Sequence, residues 1–144
     1  MPIPPKLQSV LETLELVPER SDRIQFLISL AEGFHSPPPE VVAKPYPEEF
    51  RVPGCESEAF VFSRPRADGT LDFYFAVENP QGVSAMALAA ILRESFTGAN
   101  REDILSVPED VIYQVFGKEL SMGKSMGLMG MVQMAKMQAR KGPH

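Results

Sequence analysis

One cysteine stands out among the residues of this chain that could do covalent chemistry. Cys55 lies in Val52-Pro53-Gly54-Cys55-Glu56-Ser57-Glu58. A lone cysteine is ordinarily a small buried hydrophobe. A packing cysteine, however, belongs in the middle of an apolar stripe. This one follows a Pro-Gly turn signal and precedes three polar residues. A turn there sets the thiol at a corner between strands, where function tends to be carried. The glycine beside it lets another backbone approach closely.

The company Cys55 keeps limits its chemistry. Thiolate is the reactive form. A cysteine hydrolase needs a histidine base, and the chain has only His35 and His144. His35 lies in a proline-flanked loop and would meet Cys55 only through tertiary folding. His144 is the last residue. A dithiol oxidoreductase needs a second cysteine. A single cysteine forms no internal disulfide and completes no cysteine-rich metal site. One-thiol transfer needs no internal partner: the thiol attacks the outer sulfur of a persulfide on another protein, holds that sulfur and presents it to an acceptor.

A cation would assist the thiolate. Lys124 is the candidate, at the start of the last expected helix, where the terminal amides also favour negative charge. The alternative reading of Lys124 is an ordinary surface lysine. Glu56 and Glu58 carry like charge, which disfavours ionisation, and read as solvated positions flanking the turn.

The elements that must position these groups follow from periodicity. Lys6 to Leu16 reads as a helix with Leu7, Val10, Leu11 and Leu14 on one face. Pro18 interrupts. Ser21 to Phe34 reads as a second helix, capped by Ser21, with Asp22 near its positive end and Ile24, Leu27, Ile28 and Ala31 as its core stripe. Five prolines make His35 to Pro47 an extended loop. Three short strands follow, at Glu49–Val52, Ala59–Arg64 and Leu71–Val77, the last two joined by an Asp-Gly hairpin signal. They predict a three-stranded antiparallel meander with one buried face. Asn79 reads as the cap of a helix entered through Pro80 and ending near Phe96, with Gly98 as its C-terminal cap. Ile104 to Val107 reads as a link, Pro108 to Phe116 as a short helix, and Lys124 to Arg140 as the last helix. Gly127 and Gly130 each cost that helix about 1 kcal/mol relative to alanine, which close packing against the Cys55 loop would explain. Six of the eight methionines lie between Met122 and Met137. They suit core packing, or an adaptable docking surface if exposed near Cys55. The fold class is α+β, a small three-stranded sheet with helices on one face, in one domain spanning 1–144.

The apolar share is 44% and the net charge is −5. That balance argues against nucleic acid as a partner. The longest apolar run, Ala85 to Leu92, is eight residues, against the roughly 18 of a membrane span. The N-terminus lacks the apolar core of a signal peptide, so a cytoplasmic location and no membrane partner are expected.

Three stretches carry a family resemblance: Asp22-Arg23-Ile24-Gln25-Phe26-Leu27-Ile28-Ser29-Leu30, Val52-Pro53-Gly54-Cys55-Glu56-Ser57-Glu58-Ala59-Phe60 and Leu120-Ser121-Met122-Gly123-Lys124-Ser125-Met126-Gly127-Leu128. They resemble the second helix, the V-x-G-C-x-S active-site loop and the last-helix opening of the SufE family of sulfur acceptor proteins. Their order and separations fit over nearly the whole chain. The resemblance implies an α+β fold like that of the cluster-scaffold proteins. It implies that Cys55 receives sulfane sulfur as a persulfide from a cysteine desulfurase, stimulates that enzyme, and passes the sulfur to an iron–sulfur cluster scaffold. Pyridoxal phosphate would belong to the desulfurase, and this chain would need no cofactor or metal. It would be a sulfurtransferase-type accessory protein, not a stand-alone enzyme. The alternative from another class is a non-catalytic adaptor that docks on a desulfurase or scaffold. The chain departs from the family at two places. Lys124 stands where arginine is usual, keeping the charge without the guanidinium fork. Val77-Glu78-Asn79-Pro80 replaces a Ser-Asp-containing turn.

Overall fold

The computed structural model describes residues 2–17, 19–118 and 120–141. The first helix, α1 (Pro5–Glu15), has proline in its first turn, where no donor is lost, and buries Leu7, Leu11 and Leu14. The expected interruption at Pro18 lies outside the described residues.

The second helix, α2 (Arg20–Glu32), starts one residue before the expected cap. Glu19 occupies the cap position with no side-chain cap hydrogen bond, and Asp22 lies in the first turn. The expected core stripe is also corrected. No residue of α2 is buried, and Ile24 and Ile28 are 45% and 37% exposed. Arg23 explains the roll of the helix. Its guanidinium donates to Leu14 O at 3.0 Å, Gln114 O at 3.0 Å and Val115 O at 3.3 Å. Those carbonyls lie at helix C-terminal ends, where no intrahelical donor remains. Turning Arg23 inward brings Phe26, Leu27 and Leu30 partly into the core and leaves Ile24 and Ile28 outside.

Among the described residues the sheet has two strands, not the expected three. β1 (Ala59–Pro65) pairs antiparallel with β2 (Leu71–Val77), from Ala59↔Val77 to Pro65↔Leu71. The expected strand at Glu49–Val52 is instead a 3-10 turn, Glu48–Phe50, followed by one isolated bridge, Arg51↔Phe60. Val52 N–H still reaches Ala59 O at 2.8 Å. Pro53 then offers no donor, so the pairing stops before it becomes a strand. The hairpin turn carries Gly69 at φ +88°, with Asp68 accepting from the Thr70 amide.

Both faces of the sheet are covered, where one was expected. Val61, Leu71, Phe73 and Phe75 enter the main core with the helices. Phe60, Phe62 and Ala76 face a second cluster with Tyr46. Tyr46 lies 5.2 Å from Phe60 and 5.5 Å from Phe62, centroid to centroid. The proline-rich segment is therefore a cover for the outer face. It brings an aromatic ring without offering a competing strand.

The central helix, α3 (Val83–Phe96), is buried through Ala85, Leu88, Leu92 and Phe96 and packs on α1, α2 and β2. Its start corrects the expected Asn79 cap: the cap position is Gly82. Gly98 takes φ +74° just beyond the helix and donates to Leu71 O at 2.9 Å. The expected link at Ile104–Val107 overlaps α4 (Arg101–Leu105), whose cap Asn100 accepts from Glu102 N–H at 2.8 Å. Next is α5 (Val111–Phe116). The last helix, α6 (Met122–Arg140), begins two residues before Lys124 because Ser121 caps it, accepting from Lys124 N–H at 3.2 Å. It lies against β1, where Gln138 Nε2 donates to Val61 O at 2.8 Å. Among the described residues, no helix is long and apolar enough to cross a membrane.

Candidate functional site

Cys55 follows the turn that Pro53 and Gly54 encode. Gly54 has φ +67°, and Cys55 N–H points back to Val52 O at 3.4 Å. This is the type II arrangement, which requires positive φ at its third residue. The loop re-enters β1 through Glu58, also left-handed at φ +53°. A non-glycine residue there costs roughly 1–2 kcal/mol. The thiol thus sits between two left-handed residues.

The floor beneath the loop is one face of α6. Gly123, Gly127 and Gly130 fall at i, i+4 and i+7, which aligns them on a helix. A Cβ on Gly130 would stand 2.7 Å from Val52 Cγ1. One on Gly127 would stand 3.2 Å from Cys55 Cα and Sγ, and one on Gly123 3.4 Å from Glu56 Oε1. The loop lies lengthwise on this bare strip. The contacts account for Gly127 and Gly130 in an otherwise good helix sequence.

The other wall is the turn after β2. Asn79 Nδ2 donates to Glu56 O at 3.3 Å, and Asn79 N–H donates to Ser57 O at 3.2 Å. Glu78 N–H donates to Glu58 O at 3.1 Å. Gly82 backs Ser57 so closely that a Cβ would meet its side chain at 2.9 Å. In the sequence Asn79 reads as a helix cap, and this tether is not visible there. Its acceptors lie more than 20 residues away, and no local pattern announces them.

Cys55 is 9% exposed. It lines a cavity of about 220 Å³ together with Ser57, Asn79, Ser84 and Lys124. The fold therefore brings Cys55 and Lys124 to one cavity, the two site residues that the sequence singled out. His35 lines a different cavity, with Lys6, Phe34 and Arg93, and Cys55 is absent from its walls. The hydrolase arrangement, with His35 as base, is not formed. His144 lies outside the described residues. Among the described residues, no group of three or more His, Cys, Asp or Glu side chains is placed to hold a metal ion.

The methionines divide. Met131 is fully buried, whereas Met122 and Met126 are exposed on the first turns of α6, beside the glycine strip.

The fold has a known counterpart. A hypothetical protein from Thermus thermophilus, whose structure was solved in solution, is similar at 27% identity and a TM-score of 0.74, over 96% of each chain. No curated protein matches the chain. The family model for the SufE Fe-S metabolism associated domain matches residues 8–139, which include the Cys55 loop, its Asn79 tether and the α6 floor. The chain belongs to the SufE family.

Proposed function

We propose that this protein is a sulfur carrier of iron–sulfur metabolism, with Cys55 as the anchor of the carried atom. The thiolate of Cys55 attacks the outer sulfur of a persulfide on a cysteine desulfurase. The donor's S–S bond breaks as a new S–S bond forms at Cys55, and the donor's thiolate leaves with the bonding pair. Any proton on the outer sulfur travels with it. The sulfur moves as a neutral atom, so no electron acceptor is needed. A scaffold thiolate then repeats the attack on Cys55 and takes the sulfur for cluster assembly. Pyridoxal phosphate does its chemistry on the desulfurase, and this chain's residues only receive, hold and release. The cytoplasm suits the task, because a lone thiol stays reduced there.

The observation that carries this reading is the setting of Cys55. It is the chain's single cysteine. It stands at a loop tip, nearly sealed at rest, beside a cavity of about 220 Å³. A liquid water molecule occupies about 30 Å³, so the cavity has room for one added sulfur atom. A sheltered persulfide is protected from stray thiols, which would otherwise attack it. Lys124, which lines the same cavity, supplies positive charge for the sulfur anion.

Desulfurase turnover separates carrier from adaptor. The carrier reading expects the intact protein to accelerate turnover and Cys55→Ser to lose that acceleration while remaining folded. Full acceleration by Cys55→Ser would leave only the adaptor.

A further inference from the structure

A second concavity, about 790 Å³, adjoins the Cys55 cavity and shares Val83, Ser84 and Lys124 with it. Its opposite wall is the face of α2 that the fold leaves open, through Ile24 and Ile28. Val83, on the side shared with the thiol cavity, is exposed as well. Three aliphatic side chains thus stand partly in water around one groove. Exposed apolar groups gathered beside a reactive residue mark an interaction site.

Charge indicates what fits. The chain carries a net −5, yet every charged side chain lining this groove among the described residues is cationic: Arg20, Arg23, Lys118 and Lys124. Arg23 is committed to backbone carbonyls. Lys118 and Lys124 are exposed at the rim.

We propose that this groove seats an apolar-anchored, acidic segment of the protein that loads Cys55 with sulfur. The proposal rests on the carrier reading and adds where, and by what chemistry, the donor docks. The donor is favoured as occupant because it meets the resting thiol. It must loosen a loop held by Asn79, Glu78 and the glycine floor, and contacts beside the loop supply the free energy for that. Aliphatic anchors would enter between Ile24, Ile28 and Val83, with carboxylates reaching Lys118 and Lys124. Electrostatic complementarity of this kind speeds encounter and weakens with salt.

The test uses the full chain and a purified cysteine desulfurase from the same host, with affinity measured by calorimetry at low and high salt. Ile28→Asp and Lys118→Glu alter the groove without touching the Cys55 cavity. Lys6→Glu, on the other concavity, is the control. Folding is checked by circular dichroism, and the thiol by its alkylation rate with iodoacetamide. The expected result is a fivefold or greater loss of affinity for each groove variant, none for the control, an unchanged alkylation rate, and a smaller salt effect for Lys118→Glu than for the unaltered chain. Groove variants that bind like the unaltered chain, while Cys55 still takes up sulfur, overturn the docking proposal and leave the carrier standing. Groove variants that lose affinity only for a cluster scaffold overturn the donor as occupant. Groove-dependent binding without sulfur on Cys55 overturns the carrier and the loading role together, and leaves the groove as the dock of an adaptor. No binding by the unaltered chain overturns both.

Discussion

Gly127 lies directly beneath Cys55, so close that a single methyl there would stand 3.2 Å from both Cα and Sγ of the cysteine. The resting position of the thiol therefore depends on an absent side chain. Two opposing terms act on Gly127→Ala. Helix propensity favours alanine by about 1 kcal/mol. Overpacking against the Cys55 backbone costs about 1–3 kcal/mol. The cost falls on the loop, which can lift, so little of it reaches global stability. Gly127→Ala is expected to change Tm by less than about 3 °C and to raise the alkylation rate of Cys55 several-fold. Gly130→Ala meets the β-branched and fully buried Val52 at 2.7 Å, which cannot lift as freely. It is expected to lower Tm by a few degrees. Thermal denaturation and iodoacetamide kinetics check both.

Asn79 holds the other side of the loop. Asn79→Ala removes the donation to Glu56 O and the acceptance from Gln81 N–H at 3.0 Å. A hydrogen bond of this type contributes about 0.5–1.5 kcal/mol net. If that energy acts on loop closure alone, Cys55 alkylation accelerates roughly 2- to 10-fold. The backbone donations from Glu78 and Asn79 remain, so the loop loosens without being lost. Alkylation kinetics of the purified variant decide the point, and an unchanged rate would mean that the amide side chain does not restrain the loop.

Arg23 is expected to matter for stability and not for sulfur chemistry. Its guanidinium serves three carbonyls on two separate helix ends, and charge-assisted hydrogen bonds contribute about 1.5–3 kcal/mol. Arg23→Ala is expected to cost about 2 kcal/mol, read as a drop in the urea midpoint with an unchanged slope. Arg23→Lys should recover little, because an ammonium lacks the planar fork that spans both ends.

The parts legible in the sequence are those set by local chemistry. Pro53 and Gly54 encode the turn that presents Cys55, and Gly127 and Gly130 mark the floor by their poor fit to a helix. The parts that were not legible are set by distant partners. The roll of α2 depends on Arg23 reaching carbonyls 91 and 92 residues away, so Ile24 and Ile28 looked like core and are surface. Asn79 has the sequence of a helix cap and acts as a tether, because its acceptor lies on the Cys55 loop. The segment before Val52 has strand-like composition, but Pro53 limits it to one bridge. The outer face of the sheet looked solvated because its cover, Tyr46, comes from a segment with no secondary-structure pattern of its own.

The most direct measurement is the intact mass of the protein after incubation with a cysteine desulfurase and cysteine, without reductant. A carrier gains one sulfur atom, reversed by a thiol reductant, mapped to Cys55 and absent from Cys55→Ser. A folded protein whose Cys55 gains no sulfur at saturating desulfurase would contradict the carrier role.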